Sequence, residues 1–423
     1  MFSFDWKSRG FRKPKPDPGR LSLQRSRIAI ERLSRFRFFS AADYAGLHHD
    51  IGALDPATHY VGHGADEGRQ AAKPVHIART LGALAAETPP PRKAGDGTPR
   101  PPLHVGLYVS SLSNVFMREI AAALALLLRG AGHSVVEGDE NSDIEARPEH
   151  SIYVAPHEFF FLGRGPAWVR DDVLAGACMY CTEQVQTKWF WETVHIVLMA
   201  RSVVDMSMPV ASAFAEVMPS ACVFPAVGEI PPVGPAVRAH PLLAGQRWWM
   251  DRENEDTRPL DLCFLGTVSP YRARFFSRNA ERLGRYEAFL YLRTGNATEP
   301  MNAATGEAHL VDVAQYVARN ARLLLNVHRD EFPYFEWHRL VYQGMANGCA
   351  VVSEPCFANP EYEPGVHYLT EESHRLMDLI DWVLNEPDGK AKAASVAAAA
   401  AAMARDAGNR TARARMLADL LAA

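Results

Sequence analysis

Three polar side chains recur at helical spacing in the second half of this 423-residue chain. Glu336, Arg339 and Gln343 occupy positions i, i+3 and i+7, and this spacing places them on one face of a helix. The apolar pattern predicts that helix over residues 334–347, with Gly348 as the residue that ends it. A carboxylate, a guanidinium and an amide on one face could bind the hydroxyls and phosphates of a nucleotide.

The elements on either side of this helix must position the same group of side chains. Residues 323–327 and 350–352 are continuous apolar runs, as expected of strands buried on both faces of a parallel sheet. Polar residues follow both runs, and ligands of open α/β sheets bind outside the carboxyl ends of the strands. We therefore expect one converging group of side chains, which comprises Asn326, His328, Glu336, Arg339 and Glu354.

A second group of residues could take a proton from a substrate hydroxyl. His157 and Glu158 follow an apolar run within residues 150–163, and Glu183 follows another within 177–184. An imidazole has an unperturbed pKa of about 6.5, so His157 is the leading general base. Glu158 could orient the imidazole or act as the base itself, and Glu183 is a third candidate. His157 could instead end its strand or bind substrate.

The order of elements predicts an α/β protein with two Rossmann-like domains that face a cleft, preceded by a small helical extension. The first domain lacks the G-x-G-x-x-G sequence, which disfavours a dinucleotide oxidoreductase. In the second, a strand over 260–265 leads to a turn at Gly266 and Thr267, and Arg272 and Arg274 follow on a helix. A helix N-terminus with an arginine suits a pyrophosphate, although both arginines could also be a solvated basic helix start.

Changes in composition, mainly Pro- and Gly-rich stretches, predict the domain boundaries. We expect the last helix to pack across the interface between the two Rossmann-like domains. The predicted segments are a basic N-terminal segment (1–37), a small helical module (38–84), a linker (85–102), the first Rossmann-like domain (103–255), the second Rossmann-like domain (256–390) and a C-terminal helix (391–423).

Composition and charge exclude several classes of protein. The net charge of −4 gives no sign of nucleic-acid binding. No apolar run reaches the roughly 18–20 residues that a membrane span needs. The basic beginning lacks the apolar run of a secretory signal, and six scattered cysteines suit reduced thiols in the cytoplasm.

Two groups of potential metal ligands lack the residue spacing that is typical of metal sites. Cys178 and Cys181 form a single C-x-x-C within a predicted strand, so we expect buried core cysteines on opposite faces. Four histidines precede residue 64 without cysteine partners or regular ligand spacing, so we expect no metal site among them. They are His48, His49, His59 and His63.

The basic N-terminal segment has two interpretations. It could attract anionic lipid, at about 1 kcal/mol per charge near the surface, and so hold the protein peripherally at the inner face of a membrane. It could equally be a solubilising terminus. Its first part contains Pro14, Pro16 and Pro18 and is expected to be loose, with a helix beginning near Leu21.

Residues 260–370 resemble the donor half of GT-B glycosyltransferases of the "group 1" type, with a CgeB-like C-terminal domain. The shared layout is a glutamate-bearing helix, a small-residue turn at residues 346–348, a short apolar strand and an acidic loop. The weaker likeness extends over about residues 103–390. Upstream, a second stretch is similar to a short helical module found beside bacterial glycosyltransferases, and it comprises His59, Tyr60, Gly64, Glu67, Gly68 and Arg69.

The resemblance implies transfer of a sugar from a nucleotide-sugar, which is a co-substrate, with no cofactor and no metal. No convincing D-x-D motif is present, in agreement with the metal-free arrangement. The second domain would bind the donor, with its first turn at the diphosphate, and the first domain would bind a glycan, lipid-linked or protein acceptor. The context is bacterial surface polysaccharide, glycolipid or glycoprotein synthesis.

One departure from the group 1 pattern leaves alternatives open. A second glutamate is usual where this chain has Gln343, so the ribose contact could fall to Glu336, Gln343 or Glu354. A retaining reaction would need no protein base, and His157 would then bind substrate. Two other classes stay open: a nucleotide-sugar epimerase or phosphorylase on the same scaffold, and a binding protein without turnover.

Overall fold

The computed structural model describes residues 22–87, 101–218, 221–222, 233, 237, 239–243, 258–294, 310–359 and 361–422. Within these ranges the chain forms one parallel sheet of six strands and one of five. The prediction of two Rossmann-like α/β domains is confirmed. No helix in the described ranges is long and apolar enough to cross a membrane.

A helical module precedes the first sheet. Side-chain caps start three of its helices, since Ser22, Ser40 and Asp55 each accept a hydrogen bond from a backbone N–H in the first turn. Tyr60 is fully buried, and its hydroxyl donates to the Trp191 carbonyl of the first domain at 2.7 Å. The module consists of α1 (Leu23–Arg35), α2 (Ala41–Leu47), a 3-10 turn (His49–Ile51), α3 (Pro56–His59), a π-helical turn (Tyr60–Gly64) and α4 (Pro74–Ala86).

The first domain contains the six-stranded sheet, with strand order β2-β1-β3-β4-β5-β6 and only parallel neighbours. Its central strands are buried over almost their whole length because helices cover both faces. The elements are β1 (His104–Tyr108), α5 (Val115–Gly130), β2 (Ser134–Gly138), β3 (His150–Val154), α6 (Pro156–Phe159), a 3-10 turn (Gly165–Trp168), α7 (Asp171–Gly176), β4 (Ala177–Cys181), α8 (Lys188–Met199), β5 (Ser202–Asp205), α9 (Met208–Val217) and β6 (Ala221–Cys222).

The second domain repeats this topology with strand order β11-β10-β9-β7-β8. In both sheets the strand order reverses beside the first strand, and a crevice for ligands opens at such a point. The elements are β7 (Leu260–Thr267), α10 (Pro270–Leu283), β8 (Ala288–Arg293), α11 (Leu310–Asn320), β9 (Ala321–Asn326), a π-helix (His338–Gly344), a 3-10 turn (Met345–Asn347), β10 (Ala350–Ser353), β11 (Leu369–Thr370), α12 (Leu376–Asn385), α13 (Pro387–Arg405) and α14 (Ala407–Ala422).

The C-terminal region is two helices, whereas the sequence predicted one. The chain leaves helical geometry at Asp406, between α13 and α14. Val396 on α13 is buried in the core of the second domain, and Leu417 and Leu421 on α14 are buried with α5 in the core of the first domain. The break lets the chain cross from one domain to the other, which matches the predicted packing across the interface.

The helix predicted over residues 334–347 begins later and has a different winding. Residues 332–336 are not helical, and the π-helix starts at His338. The Pro333 carbonyl, which a helix would use internally, accepts a hydrogen bond from the Phe357 N–H at 2.6 Å. This contact with the loop after β10 holds the segment extended. Gly348 ends the turn with φ of +70°, as predicted.

Most of the basic N-terminal segment lies outside the described residues, as does a large part of the predicted linker at 85–102. Its described part is α1, which begins at Leu23, close to the predicted start. Two of its arginines make internal contacts: Arg25 donates to the Met199 carbonyl at 3.0 Å, and Arg32 donates to the Leu198 carbonyl at 2.7 Å. These two charges therefore stabilise the end of α8 against the module.

Candidate functional site

A cavity of about 300 Å³ lies between the two sheets, at the carboxyl ends of their strands. Both domains line it, as the predicted cleft requires. Seven of the residues selected from the sequence are in its lining, namely Glu183, Gly266, Thr267, Arg272, Glu336, Arg339 and Gln343. The cavity, termed the interdomain cavity below, also contains Asp205, Arg329, Tyr334 and His338.

Two arginines flank one carboxylate on the second-domain side. Glu336 lies 3.4 Å from Arg272 Nη2 and 3.3 Å from Arg339 Nε, through different carboxylate oxygens. Burial alone would raise the pKa of Glu336, but Arg339 and Arg272 outweigh it, and the net effect lowers that pKa. Glu336 is therefore ionised at neutral pH, and the three side chains together carry a net positive charge.

The start of α10 positions Arg272. Ser269 caps the helix by accepting from the Arg272 N–H at 3.1 Å. The guanidinium donates to the Val327 carbonyl at 2.9 Å and to the Thr267 carbonyl at 3.1 Å. A Cβ atom at Gly266 would stand only 3.1 Å from Arg272 Nη1, so glycine makes room for the guanidinium.

Burial and repulsion from Arg339 determine the charge state of Arg272. Burial lowers the pKa of Arg272, the charge of Arg339 lowers it further, and the result is a pKa of about 9. Arg272 is thus protonated at neutral pH. The guanidinium carbons of Arg272 and Arg339 both lie 5.4 Å from the centre of the Phe264 ring, whose π face favours cations.

Three of the predicted residues lie beneath the cavity instead of lining it. Asn326, His328 and Glu354 have exposures of 0%, 4% and 2%. Glu354 accepts from the His328 N–H at 2.7 Å and from the Tyr271 hydroxyl at 2.8 Å, so both carboxylate oxygens are engaged. These residues do converge, and they fix the loops after β9 and β10. Of the three candidates for a ribose contact, Glu336 and Gln343 remain at the cavity.

Arg274 lies away from the cavity and is exposed. Positions 272 and 274 of a helix differ by about 200° in direction, since each residue turns the helix by about 100°. Because Arg272 faces inward, Arg274 faces solvent, with its guanidinium 5.7 Å from the centre of the Tyr271 ring. We therefore remove Arg274 from the predicted diphosphate contacts.

The three predicted candidates for the general base lie together on the first-domain side, but only Glu183 lines the cavity. His157 is 5% exposed, and its Nε2 lies 3.4 Å from the Glu183 carboxylate. Glu158 accepts from the Asn114 N–H at 3.0 Å, at the start of α5. Ala155, with φ of +53°, makes the sharp turn after β3 that directs His157 behind Glu183.

Asp205 was not among the site residues selected from the sequence, but it lines the cavity at the carboxyl end of β5. One of its carboxylate oxygens accepts from the Ser207 N–H at 2.7 Å, while Oδ2 has no hydrogen-bond partner among the described residues. Burial raises the pKa of Asp205 well above its usual range. The only available signal was its position at the end of a predicted strand, as for Glu183.

A buried polar network joining the domains was also missed. Glu119 on α5 contacts His338 Nε2 at 2.7 Å and accepts from Gln315 Nε2 at 2.6 Å. Asn347 Nδ2 bonds the Gln315 amide oxygen in turn. Both carboxylate oxygens of Glu119 therefore contact the second domain. The sequence gives no local signal for such a contact, because Glu119 and His338 are 219 positions apart.

The potential metal ligands behave as core or structural residues. Within the described ranges, no group of three or more His, Cys, Asp or Glu side chains could hold a metal ion. Cys178 and Cys181 are buried on opposite faces of β4, in different hydrophobic cores, as predicted. His59 Nδ1 lies 3.0 Å from the Tyr44 hydroxyl, and His48 Nε2 lies 2.9 Å from the Gln70 carbonyl.

Comparison with known proteins gives matches in structure only. No protein-family model matches the chain, and no curated protein matches it in sequence. HepE from Anabaena in complex with UDP-glucose is 13% identical, with a TM-score of 0.46, over 76% of this chain and 99% of HepE. The HepE complex with UDP and glucose is 12% identical, with a TM-score of 0.44, over 71% of this chain and 94% of HepE. A glycosyltransferase from Rickettsia africae is 11% identical, with a TM-score of 0.40, over 76% of this chain and 97% of that protein.

Proposed function

We propose that this protein is a glycosyltransferase that moves a sugar from a nucleotide-sugar to an acceptor hydroxyl without a metal ion. The observation that carries the proposal is the arrangement of charges across the interdomain cavity. Arg272, Glu336 and Arg339 lie on one side, and Glu183 and Asp205 lie on the other. A positive group facing carboxyl groups suits a leaving diphosphate on one side and an attacking hydroxyl on the other.

The donor diphosphate would lie against the arginines at the start of α10. Arg339 and Arg329 line the cavity and supply positive charge there. Two N–H groups of Arg272 donate to backbone carbonyls, so the role of Arg272 is to contribute positive charge and to hold Glu336 in place. Glu336 or Gln343 would accept hydrogen bonds from the ribose hydroxyls. These groups would take the place of a metal ion in stabilising the leaving diphosphate.

Glu183 is the general base in this proposal, and His157 positions it. In an inverting reaction, the acceptor oxygen bonds to the anomeric carbon as the bond to the diphosphate oxygen breaks, and Glu183 takes the hydroxyl proton. His157, at 3.4 Å, stands behind the Glu183 carboxylate. This reverses the order expected from the sequence, where His157 was the leading base.

The cellular setting is part of the proposal. The resemblance of residues 260–370 points to bacterial surface polysaccharide, glycolipid or glycoprotein synthesis, with a glycan, lipid-linked or protein acceptor. We place the protein in the cytoplasm, with a peripheral contact at the inner face of the membrane through the basic residues that precede Leu23.

A donor-consumption assay tests the proposal. The full chain is incubated with UDP-, GDP-, ADP-, CMP- and TDP-sugars and an extract of candidate acceptors, and products are identified by mass spectrometry. We expect release of one nucleotide with transfer of its sugar, and a loss of at least about tenfold in kcat, or 1.4 kcal/mol, in Glu183→Gln. Glu145→Gln is the control, because Glu145 is an exposed carboxylate that pairs with Arg170 in the same domain.

Three other results would point to different functions. An isomerised sugar without transfer would indicate an epimerase, and turnover that requires phosphate would indicate a phosphorylase. Nucleotide binding with no consumption of any donor would indicate a binding protein. Each of these outcomes would overturn the transferase proposal.

A further inference from the structure

A second cavity, of about 390 Å³, lies between the helical module and the first domain. We term it the module cavity. Its walls are the turn before α4, the start of α8, and Phe332 from the second domain. Its volume lies within the range of about 300–1,000 Å³ that is typical of small-molecule sites. No residue that lines it lines the interdomain cavity as well.

The motif that the sequence shares with bacterial helical modules builds part of this cavity. Gly68 and Arg69 are in the lining. Gly68 has φ of +67°, and a Cβ atom there would stand 2.8 Å from Lys188 Cε. Glycine is therefore needed for the backbone conformation, whereas the end of the flexible Lys188 side chain can move aside. This gives the motif a role in shaping a site.

The lining combines apolar surface with unused hydrogen-bonding groups. Trp191, Phe332 and Ile77 supply aromatic and aliphatic surface. Trp191 is 6% exposed, and its indole N–H has no hydrogen-bond partner among the described residues. The Gln186 amide oxygen likewise has no partner within them. A buried donor and a buried acceptor without partners are costly, and a bound ligand with hydroxyl groups would satisfy both.

The charged groups of the module cavity are already balanced. Lys188 Nζ lies 3.3 Å from the Glu192 carboxylate. Arg69 pairs with Asp50 at 2.7 Å and also with Glu67. A phosphate or carboxylate ligand would have to compete with these carboxylates. A neutral ligand with hydroxyl groups and an apolar ring face therefore fits the lining best, and a pyranose has both.

The two cavities are neighbours. Gln186, which lines the module cavity, donates to the side chain of Gln184, which lines the interdomain cavity, at 2.8 Å. The same amide donates to Asp330 in the second domain at 3.2 Å. The rings of Phe332 and Tyr334, one from each lining, have centres 6.4 Å apart. A chain of sugars that entered the interdomain cavity could thus reach the module cavity.

We propose that the module cavity binds a neutral sugar residue of the acceptor, distant from the hydroxyl that reacts. This assignment rests on the proposed glycosyltransferase function. The acceptor is accordingly a glycan of at least two residues, and the helical module selects it. Trp191 provides a ring surface and an N–H donor, and Gln186 provides an acceptor for a sugar hydroxyl.

Saturation-transfer NMR on the full chain tests this site. The probes are neutral methyl glycosides of glucose, galactose, mannose and xylose at millimolar concentration, with methyl glucuronide and glucose 6-phosphate as charged comparisons. UDP or GDP is present in excess to occupy the interdomain cavity. We expect at least one neutral glycoside to bind more tightly than both charged probes.

Three variants locate the binding. Trp191→Phe keeps an aromatic ring, although a smaller one, and removes the N–H, and it should weaken glycoside affinity about three- to tenfold, the range for one neutral hydrogen bond. Trp189→Phe is the matched control on the same helix, because Trp189 lines neither cavity. Ile77→Phe fills the cavity from the module side and should also weaken binding, which provides a second test if Trp191→Phe does not fold.

The outcomes separate this proposal from the glycosyltransferase proposal. If no neutral glycoside binds, if charged probes bind better, or if Trp191→Phe and Ile77→Phe bind like Trp189→Phe, the sugar site is overturned. Nucleotide binding is recorded on the same samples. Glycoside binding in the module cavity without any nucleotide binding would refute the transferase and show a sugar site that is not an acceptor site.

Discussion

The change Glu336→Gln separates two roles of the carboxylate between Arg272 and Arg339. The amide keeps the shape of the side chain and removes its negative charge, so two neighbouring arginines lose their shared partner. If Glu336 only balances charge, anions of every kind should bind more tightly to the variant. If it also binds ribose hydroxyls, nucleoside diphosphates should bind less tightly while inorganic pyrophosphate binds more tightly.

The structure sets the expected magnitudes. A hydrogen bond to a charged group contributes about 1.5–3 kcal/mol, so loss of the ribose contact should weaken nucleoside diphosphate binding by roughly ten- to a hundredfold. Breaking a buried ion pair costs about 3–5 kcal/mol and an exposed pair about 0–1. The side chains of Glu336 and Arg339 are 16% and 17% exposed. We therefore expect Glu336→Gln to destabilise the fold by about 1–3 kcal/mol, between these limits.

The stability effect has a defined pH dependence. The two arginines lower the pKa of Glu336 below its ordinary value of 4.5 despite burial, which alone would raise it. A carboxylate with a lowered pKa in the folded state stabilises the fold above its ordinary pKa, and the contribution is lost as the pH falls through the folded pKa. The stability difference between wild type and Glu336→Gln should be full at pH 7 and should shrink below pH 4.5.

Calorimetric titration with nucleoside diphosphate and with pyrophosphate, together with urea unfolding at several pH values, measures these effects. Glu281→Gln is the control, because the Glu281 side chain is 89% exposed and pairs with Arg285 on the surface of the same domain. Equal weakening of both ligands would mean that Glu336 only holds the arginines in place. Tighter binding of both ligands would refute the ribose contact.

Three further predictions concern buried polar groups and packing. Burial raises the pKa of Asp205, so the ionised carboxylate destabilises the fold increasingly as the pH rises above 3.8, the ordinary pKa of the group. In urea unfolding, Asp205→Asn should therefore stabilise the fold at pH 7 and less so at pH 4. Equal effects at the two pH values would refute the raised pKa. Gly64→Ala should cost about 1–3 kcal/mol, because the new Cβ atom would stand 2.1 Å from the Tyr44 hydroxyl; the double variant with Tyr44→Phe should cost less than the sum of the two single variants, and strict additivity would contradict this account. Glu119→Gln should lower stability by about 1–3 kcal/mol, since one amide cannot accept from both His338 and Gln315 as the carboxylate does; the control is Glu137→Gln, a surface partner of Arg129.

The sequence predicted the sheets well because parallel strands buried on both faces are continuous apolar runs. Residues 323–327 and 350–352 became β9 and β10 almost without change. It also placed polar residues such as Glu183 correctly at the carboxyl ends of strands. These features depend only on the local amino-acid composition, so they can be recognised in a single sequence.

The direction of individual side chains was harder to predict. The sequence placed Arg272 and Arg274 together, but the two positions differ by about 200° around the helix, which sends them to opposite sides. Similarly, the sequence made His157 the leading base and Glu183 the third candidate, whereas the turn at Ala155 puts His157 behind Glu183. An alanine gives no signal for positive φ, because that conformation is imposed by the surrounding structure.

Contacts between distant segments were beyond prediction from this sequence. The late start of the helix at His338 follows from a hydrogen bond between Pro333 and Phe357, which brings two loops together. The contact of Glu119 with His338 joins different domains. Such features depend on how the two domains meet, whereas the periodicity of apolar residues reports only on each element separately.

The most direct test of the central claim, that the interdomain cavity binds a nucleotide-sugar without a metal, is a thermal-shift panel of UDP, GDP, ADP, CMP and TDP, with Mg²⁺ or with EDTA. A ligand that binds only the folded state stabilises it by about 2.7 kcal/mol at a hundred times its Kd. We predict that one nucleoside diphosphate raises the Tm equally with Mg²⁺ and with EDTA, and that Arg339→Met abolishes the rise. No shift with any nucleotide, or a shift that requires Mg²⁺, would contradict the account.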